Sequence, residues 1–432
     1  MNELAKGLNE VLDTSIAGAF LSQVGRRMYF PKGIVAQSDE AKQKADRYNA
    51  TVGLATSKGQ PMHLVDIMDF YKEGVFKPSD IFNYAPGGGD KTLRAIWKEE
   101  ILRKNPSLMG TLFSQPLVTA GLTHAISLCA TLFFDEGDTL VLPDLFWDNY
   151  DLIFRELRGC GIKTFRFFSE GRFNSTGMKD ALMSCEGDTV RILLNFPNNP
   201  TGYTPSENEM NELVSALVAV ADSGKKILVI CDDAYYGLFF EEDIAKESLF
   251  ARIAHIHDNI FAVKGDAATK EDMVWGFRIG FISYASKGFN EEHIDALVKK
   301  TLGAIRCTVS NCDRPGQSML VKAYTDGKNV EKDKAATSRE MEMRYRTIRK
   351  AVKKWESSSL LRAYPFNSGY FMAFDTAGHS AEELRVYLLD KYGIGTINIM
   401  DRTLRLAYCS VENENLEDLV DTIFKAAGEI WS

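Results

Sequence analysis

Lys270 and Arg278 are the two residues of this 432-residue chain whose types and spacing point most directly to chemistry. They stand eight positions apart in the segment Thr-Lys-Glu-Asp-Met-Val-Trp-Gly-Phe-Arg-Ile-Gly. A lysine amine can form a Schiff base with an aldehyde, and a guanidinium can hold a phosphate through several N–H groups. The pair therefore suits a ligand that carries both an aldehyde and a phosphate. Because 51 residues are Lys or Arg, the pair needs support from other segments.

Two other segments bring polar side chains to the places where predicted strands end. Asn199 lies in Asn-Asn-Pro-Thr-Gly, shortly after an apolar run that ends at Asn195. Asp232 and Tyr235 directly follow the apolar run 227–231. In a ligand site, the Asn199 amide would donate to a ligand oxygen and Asp232 would pair with a protonated pyridine nitrogen. Each segment alone is also typical of a turn or of a helix cap, and both interpretations stay open at this point.

The composition is that of a soluble protein of ordinary enzyme size. The chain has 51 basic and 59 acidic residues, so its net charge of −8 gives no overall positive field for nucleic acid. Its seven cysteines are scattered without a Cys-x-x-Cys pair, which favours a reducing compartment. Apolar runs are far shorter than the roughly 20 residues that cross a bilayer, and the N-terminus lacks a secretory signal pattern. We therefore expect a cytoplasmic protein that binds neither nucleic acid nor a membrane.

Short β-branched runs alternate with helical stretches between residues 115 and 283. Such alternation predicts an α/β fold with a mostly parallel sheet covered by helices, and ligands bind these sheets at the carboxyl ends of the strands. An apolar face of helical spacing predicts a helix over 206–221, with Ser206 and Glu209 as a capping box. The expected strands span 116–119, 139–142, 191–195, 227–231, 259–263 and 279–283.

The part of the chain after the predicted sheet has a different pattern. A long charged stretch at 329–357 predicts a helix, and a second helix is expected at 381–392. Strands are expected at 370–375 and 403–409, and a last helix from about residue 415. This order predicts a smaller α+β unit that follows the sheet.

Together, these segments resemble the pyridoxal-phosphate-dependent aminotransferases of class I and II, the fold type I enzymes, and among them the aspartate and aromatic branch. Asn-Pro-Thr-Gly, Asp-x-Ala-Tyr and a lysine eight residues before Arg-x-Gly occur in the family's order. The resemblance implies that pyridoxal 5'-phosphate is the cofactor. It implies that Lys270 holds the cofactor covalently, that Arg278 binds its phosphate and that Asp232 pairs with its ring nitrogen. Asn199 and Tyr235 would contact its phenolic oxygen.

The resemblance also assigns further cofactor contacts. The segment around Trp147 is similar to the family's loop with an aromatic residue that stacks on the ring. Gly121, Leu122 and Thr123 match the strand-to-helix turn that cradles the phosphate, a role that suits backbone amides at a helix N-terminus. Tyr84 matches a tyrosine that reaches across a dimer to the phosphate of the partner's cofactor.

Substrate contacts are implied at four positions. Gly53 matches a glycine beside the substrate, and Asn199 also faces it. Arg405 matches the arginine that holds the substrate α-carboxylate, which a guanidinium binds through two parallel hydrogen bonds. Arg306 resembles the arginine that the neighbouring subunit donates to a side-chain carboxylate, which implies aspartate or glutamate as amino donor. A solvated surface arginine is the other interpretation of Arg306.

The resemblance implies an activity and a domain arrangement. The activity is ping-pong transamination between an L-amino acid of the aspartate or glutamate type, or an aromatic one, and a 2-oxo acid, in a homodimer with shared active sites. Lys270, Asp232 and Tyr235 would be the catalytic residues. Residues 1–63 would pack with the small domain, 64–320 would form the large cofactor-binding domain, and 321–432 would form the small α+β domain.

Two positions depart from the family pattern, and a second lysine competes with Lys270. Ala267 stands where a phosphate-binding serine is usual, three residues before the lysine. Tyr150 replaces a histidine that supports the ring-nitrogen carboxylate in the aspartate enzymes. Lys264 is a rival lysine, although its distance from Arg278 in the sequence does not match the family spacing. These departures indicate a divergent subgroup.

Other functions are less well supported by the sequence. The Gly-Gly-Gly-Asp-Lys-Thr segment at 87–92 does not match a P-loop, and no clean Gly-x-Gly-x-x-Gly follows the first strand. His255 and His257 lack neighbouring ligands, so no metal site is expected. The alternatives that remain are a lyase or decarboxylase with the same cofactor and fold and, further off, a cofactor-binding regulator without catalysis.

Overall fold

The computed structural model describes residues 1–29 and 33–431. Its centre is a seven-stranded sheet formed by β1 (Leu117–Thr119), β2 (Thr139–Pro143), β3 (Gly161–Phe165), β4 (Thr189–Asn195), β5 (Lys226–Asp232), β6 (Ile260–Ala267) and β7 (Gly280–Ala285). The strand order is β1-β7-β6-β5-β4-β2-β3. Every ladder is parallel except those of β7, which runs antiparallel to β6 and β1. The predicted α/β class is confirmed.

Helices lie on both faces of this sheet, and further helices belong to the N-terminal segment and to the C-terminal part of the chain. In chain order they are α1 (Glu3–Leu12), α2 (Gln23–Arg27), α3 (Ile34–Lys44), α4 (Val65–Asp69), α5 (Pro78–Phe82), α6 (Lys91–Lys104), α7 (Leu122–Phe133), α8 (Ser175–Met183), α9 (Glu207–Asp222), α10 (Leu249–Ile253), α11 (Ala268–Glu271), α12 (Glu291–Thr308), α13 (Arg314–Asp326), α14 (Val330–Lys353), α15 (Ala381–Tyr392) and α16 (Leu416–Trp431). Successive strand residues face opposite sides, so Ile230 packs in the core on the α7 side and Val229 packs under α6 and α9. No described helix is long and apolar enough to cross a membrane.

Burial explains which strands the sequence reveals. β4, β5 and β6 lie inside the sheet, and because both of their faces are covered, their residues are buried almost throughout. β3 is an edge strand with only Phe165 fully buried, so it has no apolar run, and the sequence did not predict it. β6 continues past residue 263 through Lys264 and Asp266, whose charges are buried among partners from other elements.

A second, smaller sheet lies towards the C-terminus. Its strands are β8 (Arg362–Ala363), β9 (Phe371–Asp375), β10 (Ile397–Ile399) and β11 (Thr403–Ala407). They are antiparallel in the order β8-β9-β11-β10. The N-terminal segment joins this region, because Tyr48–Asn49 pairs with Ile394–Gly395 and the Ala407 amide donates to the Ala50 carbonyl. Residue 320 lies within α13, and α14 begins after Asp326, so the three-part division of the chain stays a prediction.

The start of α9 follows the predicted capping box. Ser206 Oγ accepts a hydrogen bond from the Glu209 amide (3.3 Å), and Glu209 Oε2 accepts one from the Ser206 amide (2.9 Å). The reciprocal bonds satisfy two N–H groups that a helix start leaves without partners. This cap is local in sequence, which is why sequence alone predicts it.

Replacing Ser206 by alanine is expected to destabilise the fold. Loss of an N-cap hydroxyl typically costs about 1 kcal/mol of unfolding free energy. Urea denaturation followed by circular dichroism measures the change. Ser215→Ala is the matched control, since Ser215 is exposed in the middle of the same helix and alanine favours helix there. Equal stability of Ser206→Ala and the wild type would contradict a role for the cap.

Candidate active site

One cavity of about 350 Å³ lies at the carboxyl ends of β4 and β5, beside α11. Ligands bind at this edge of α/β sheets. The sequence-predicted residues that line it are Gly53, Leu122, Thr123, Trp147, Asn199, Asp232, Tyr235, Lys270, Arg278 and Arg405. A larger groove of about 990 Å³ lies between the start of α9 and the end of α14, and none of the predicted site residues lines it.

Lys270 lies on α11, the single turn that follows β6, and its side chain contributes to the cavity wall. Its Nζ is 4.7 Å from the centre of the Tyr235 ring. Burial lowers the pKa of Lys270 to about 8, although Asp232 opposes this effect, while nearby Arg278 adds to it. A larger fraction of the amine is therefore neutral near physiological pH than for an exposed lysine, which is the state a nucleophile or base needs.

Asp232 ends β5 and is held by neutral donors. Its Oδ2 accepts a hydrogen bond from the Tyr150 hydroxyl (2.6 Å), and its Oδ1 accepts bonds from the Ala234 amide (3.0 Å) and Asn195 Nδ2 (3.1 Å). Burial raises the pKa of Asp232 to about 6, although Tyr150 and the Ala234 amide lower it. Tyr150, which departs from the family pattern, thus contacts the carboxylate directly.

Arg405 and Asn199 form another part of the cavity wall. Arg405 Nη1 donates to Asn199 Oδ1 (3.0 Å), and Nη2 donates to the Thr51 carbonyl (2.7 Å). The guanidinium lies over the Phe371 ring, 4.4 Å from its centre. Its Nε is buried and has no hydrogen-bond partner within residues 1–29 and 33–431. A buried guanidinium with a free donor suits an anion such as a carboxylate.

The N-terminus of α7 and Arg278 form a second anion-binding end. Gly121 precedes α7 with a φ of 79°, and a Cβ there would lie only 2.4 Å from Arg278 Nη2, so the glycine leaves room for the guanidinium. Leu122 and Thr123, the first residues of the helix, line the cavity. Backbone amides at a helix start together with an arginine suit a phosphate. Ala267 supplies no hydroxyl here.

Aromatic side chains also line the cavity. Trp147 lines the cavity from the loop after β2 and packs edge-on against Tyr150, with 5.6 Å between ring centres. Trp275 Nε1 donates to the Gly53 carbonyl (3.2 Å). A Cβ on Gly53 would lie 2.7 Å from the Phe371 ring, so only glycine fits without a shift of that ring. The aromatic rings give the cavity flat apolar walls that suit a planar ligand.

Tyr84 and Arg306 lie outside the cavity of their own chain. Tyr84 is 90% exposed. Arg306 is exposed near the end of α12, and its Nη1 donates to Ser310 Oγ (2.5 Å). The single chain therefore does not bring these two residues to the other predicted site residues.

The rival Lys264 has a different environment from Lys270. Its Nζ is buried and forms ion pairs with Asp233 and with Asp266, the second at 3.3 Å. Burial acts to lower the pKa of Lys264, but the two carboxylates outweigh burial, so the pKa is raised. Lys264 is held as a cation and does not line the cavity.

Some residues that line the cavity were not predicted from the sequence. Thr51 binds Arg405 through its carbonyl, which no side-chain pattern reveals. Asn195 was predictable. It ends β4, the neighbour of β5, and the polar residues that end neighbouring parallel strands lie at the same edge of the sheet. The face of α3 is another unpredicted part of the wall, formed by Ile34, Val35, Ser38, Asp39 and Lys42, and further unpredicted lining residues are Val52, Ala234, Thr269, Trp275 and Phe371.

Residues 72–423 match the family model of aminotransferase class I and II. The chain belongs to this family. It is 26% identical over 249 residues to a probable aspartate/prephenate aminotransferase of Aquifex aeolicus, which covers 56% of this chain and 59% of that protein. A probable N-acetyl-LL-diaminopimelate aminotransferase of Bacillus subtilis is 24% identical over 57% of each chain. The chain thus matches less than two thirds of the length of these curated relatives.

Solved structures of aminotransferases share the fold over nearly the whole chain. An aminotransferase of Anaerococcus prevotii superposes with a TM-score of 0.80 and 26% identity, covering 93% of this chain and 98% of that one. The kynurenine aminotransferase of Pyrococcus horikoshii, solved with PMP, gives a TM-score of 0.78 at 16% identity over 97% of this chain and all of that one. The fold is therefore that of fold type I aminotransferases.

The family uses pyridoxal phosphate, and the residues of this cavity fit that group. The space left by Gly121 beside Arg278 and the start of α7 suits its phosphate. Lys270 suits its aldehyde, and the buried carboxylate of Asp232 suits its basic ring nitrogen. Arg405, which lines the same cavity, suits a second anion.

Tyr150→Phe is expected to raise the pKa of Asp232. The variant removes a hydrogen bond to a buried charged group, which is worth about 1.5 to 3 kcal/mol, or about one to two pH units. Carbon-13 NMR of the labelled Asp232 carboxyl, titrated in the ligand-free protein, measures the pKa. Tyr284→Phe is the control, because the buried Tyr284 hydroxyl contacts Thr301 instead. An unchanged Asp232 midpoint in Tyr150→Phe would refute this role.

Proposed function

We propose that this protein is a pyridoxal-phosphate-dependent aminotransferase that transfers the amino group of an L-amino acid to a 2-oxo acid. One observation carries the proposal. Lys270, Asp232 and Arg405 come from three separate parts of the chain and line the same cavity. A neutral amine, a buried carboxylate and a guanidinium free to bind an anion are the three groups that such a transfer needs.

Bound pyridoxal phosphate would supply an aldehyde carbon that takes up the amino group and a ring that withdraws electrons from the substrate α-carbon. Lys270 Nζ would bind that carbon and, once displaced, would carry the proton from the substrate Cα. Asp232 would hold a proton at the ring nitrogen, and Asn199 and Tyr235 would donate to the phenolic oxygen. Because both substrates would use the same carboxylate site at Arg405, the first oxo acid would leave before the second one enters, which is a ping-pong order.

Arg405 would bind the α-carboxylate of either substrate. Asn199 and Phe371 already fix the plane of its guanidinium, so little side-chain freedom would be lost on binding. Gly53 would let the substrate approach the cofactor closely. We further propose that the amino donor is aspartate or glutamate and that an aromatic donor is a second candidate.

A homodimer with shared active sites is part of this proposal. Tyr84 and Arg306 are exposed and lie outside the cavity of their own chain, so each would act in the site of the partner subunit. Tyr84 would contact the cofactor phosphate and Arg306 the substrate side-chain carboxylate. The seven cysteines, all free, support a reducing compartment, and we propose the cytoplasm.

Incubation with aspartate and 2-oxoglutarate is expected to yield oxaloacetate and glutamate in equal amounts. Chromatography of both products measures this exchange, whereas ammonia and fumarate from aspartate would indicate a lyase, alanine and carbon dioxide would indicate a decarboxylase, and no product would indicate a regulator. Borohydride reduction and peptide mapping should place the pyridoxyl group on Lys270, and an adduct on Lys264 would contradict the assignment. Lys270→Ala should lower kcat by about 10²- to 10⁴-fold, the usual contribution of a positioned acid–base group.

Arg306→Leu tests the choice of substrate. Loss of one partner of a buried charge pair costs roughly 2 kcal/mol or more, so kcat/KM for aspartate should fall about 30-fold or more. The kcat/KM for alanine should change little, because alanine has no side-chain carboxylate. Arg346→Leu, at an exposed position on α14, is the control. Equal losses for aspartate and alanine would remove Arg306 from the site.

A further inference from the structure

Lys270 lies on a very short element. α11 spans only four residues, Ala268–Glu271. A single helical turn is not stable by itself, because nucleation fixes several dihedral angles for one hydrogen bond. The position of the Lys270 amine therefore depends on what holds this turn from outside.

The two residues after Lys270 are carboxylates that do not line the cavity. Glu271 pairs with Lys104 at the end of α6 and lies 3.5 Å from Lys334 Nζ. Asp272 Oδ1 pairs with Lys334 Nζ (2.6 Å) and accepts a hydrogen bond from the Tyr324 hydroxyl (2.8 Å). We call Lys104, Glu271, Asp272, Lys334 and Tyr324 the clamp.

The clamp is largely shielded from solvent, and its two carboxylates match its two ammonium groups. The side chains of Glu271, Lys104 and Lys334 are each 14% exposed, and the side chain of Asp272 is fully buried. Burial acts to raise the pKa of Glu271, but Lys104 and Lys334 outweigh it and lower the pKa to about 2. Two carboxylates therefore face two ammonium groups. Asp272 Oδ2 has no hydrogen-bond partner among the described residues, so this carboxylate relies on Lys334 and Tyr324.

The contacts of Lys334 link the turn to a distant part of the chain. Lys334 lies on α14, which packs against α16 beside the small sheet. Its Nζ also donates to the Tyr324 hydroxyl of α13 (2.7 Å). The turn that carries Lys270 is thus fixed on one side by α6 and on the other by α13 and α14.

We propose that Lys334 is a positioning residue that, through Asp272 and Glu271, holds the α11 turn so that the Lys270 amine stays buried in the cavity wall. The inference rests on the proposed role of Lys270, but the clamp can be tested without the cofactor. Nothing in the clamp touches the cavity, so its effect on the amine is transmitted through the backbone of the turn.

The pKa of the Lys270 amine depends on how deeply the amine is buried, so the pKa reports the position of the α11 turn. The charged and titratable groups that face it are Asp232 at the end of β5, Arg278 in the loop before β7, Tyr235 and Cys409. Asp232 favours the protonated amine, whereas burial and Arg278 disfavour it, and burial is the largest influence. A turn that moves outward would expose the amine to water, and its pKa would rise towards the ordinary lysine value.

The experiment measures the pKa of Lys270 in the full-length protein without cofactor. Trace acetylation with acetic anhydride from about pH 6 to about pH 11, followed by peptide mapping, gives the labelling midpoint of each lysine. For the wild type we expect a Lys270 midpoint near pH 8. For Lys334→Met we expect a midpoint higher by about one pH unit or more, which leaves about tenfold less free amine at neutral pH.

Lys334→Met leaves Asp272 buried without its cation, and the variant can fail to fold for that reason alone. The double variant Lys334→Met with Asp272→Asn removes one charge of each sign and restores the balance. The positioning role requires a raised Lys270 midpoint in the double variant too, because the tie from α14 to the turn is lost in both. Lys322→Met is the control, since Lys322 pairs with Asp326 on α13 and contacts no residue of the clamp within the described residues, so the midpoint should stay unchanged.

A wild-type Lys270 midpoint in the folded double variant would overturn the proposal, whatever its melting temperature. An equal rise in Lys322→Met would overturn it as well, since the effect would then not be specific to the clamp. Failure of the proposed function gives a different result, which is a wild-type protein that forms no reducible adduct with pyridoxal phosphate. The two failures are therefore distinguishable.

Discussion

The burial of a carboxylate at the end of β5 is the constraint on which the site depends. An ionised Asp232 in the interior is costly unless donors or a cation compensate it. Tyr150, Asn195 and the Ala234 amide each donate to it, yet no cationic side chain forms a salt bridge with it within the described part of the chain. Its pKa of about 6 records this incomplete compensation. A ligand that brings a positive charge to Asp232 would compensate the buried carboxylate fully.

The register of the central strands places the other groups around that carboxylate. Asp232 pairs with Asn195 of β4 on one side and with Gly265 of β6 on the other. A Cβ on Gly265 would lie 2.7 Å from Leu122 Cδ1, so the glycine lets the start of α7 lie against the sheet. The same register brings the anion-binding end of the cavity within reach of the residues that follow β6. Strand pairing thus sets the distance between carboxylate, amine and phosphate end.

Features that depend on residues close in sequence could be predicted, whereas features that depend on contacts between distant residues could not. The capping box of α9 and the bounds of α15 depend on neighbouring residues, and they agree with the expectation. The extension of β6 through Lys264 could not be foreseen, because two buried charges favour a strand only once Asp233 and Trp97 are in place around them. The roles of the cavity residues came from family motifs, and they remain proposals even though ten of those residues lie together.

The part of the cavity wall formed by α3 also could not be predicted from the sequence. Its residues precede the first recognisable motif of the large sheet, and nothing in their types indicates that they face a ligand. Their place follows from the pairing of Tyr48–Asn49 with Ile394–Gly395, which ties the N-terminal segment to the small sheet. Only contacts between distant parts of the chain make this pairing favourable.

Ala267 lies where the turn before α7 packs closely on the sheet. Ala267 is the last residue of β6 and pairs with Gly280 of β7. A Cβ on Gly280 would lie 2.5 Å from the Gly121 carbonyl carbon, so small residues at these positions let the turn before α7 rest directly on the sheet. Helix-terminal amides favour negative charge without a hydroxyl, so the start of α7 suits an anion even with alanine at position 267. The missing serine is therefore consistent with a phosphate end built mainly from backbone amides and Arg278.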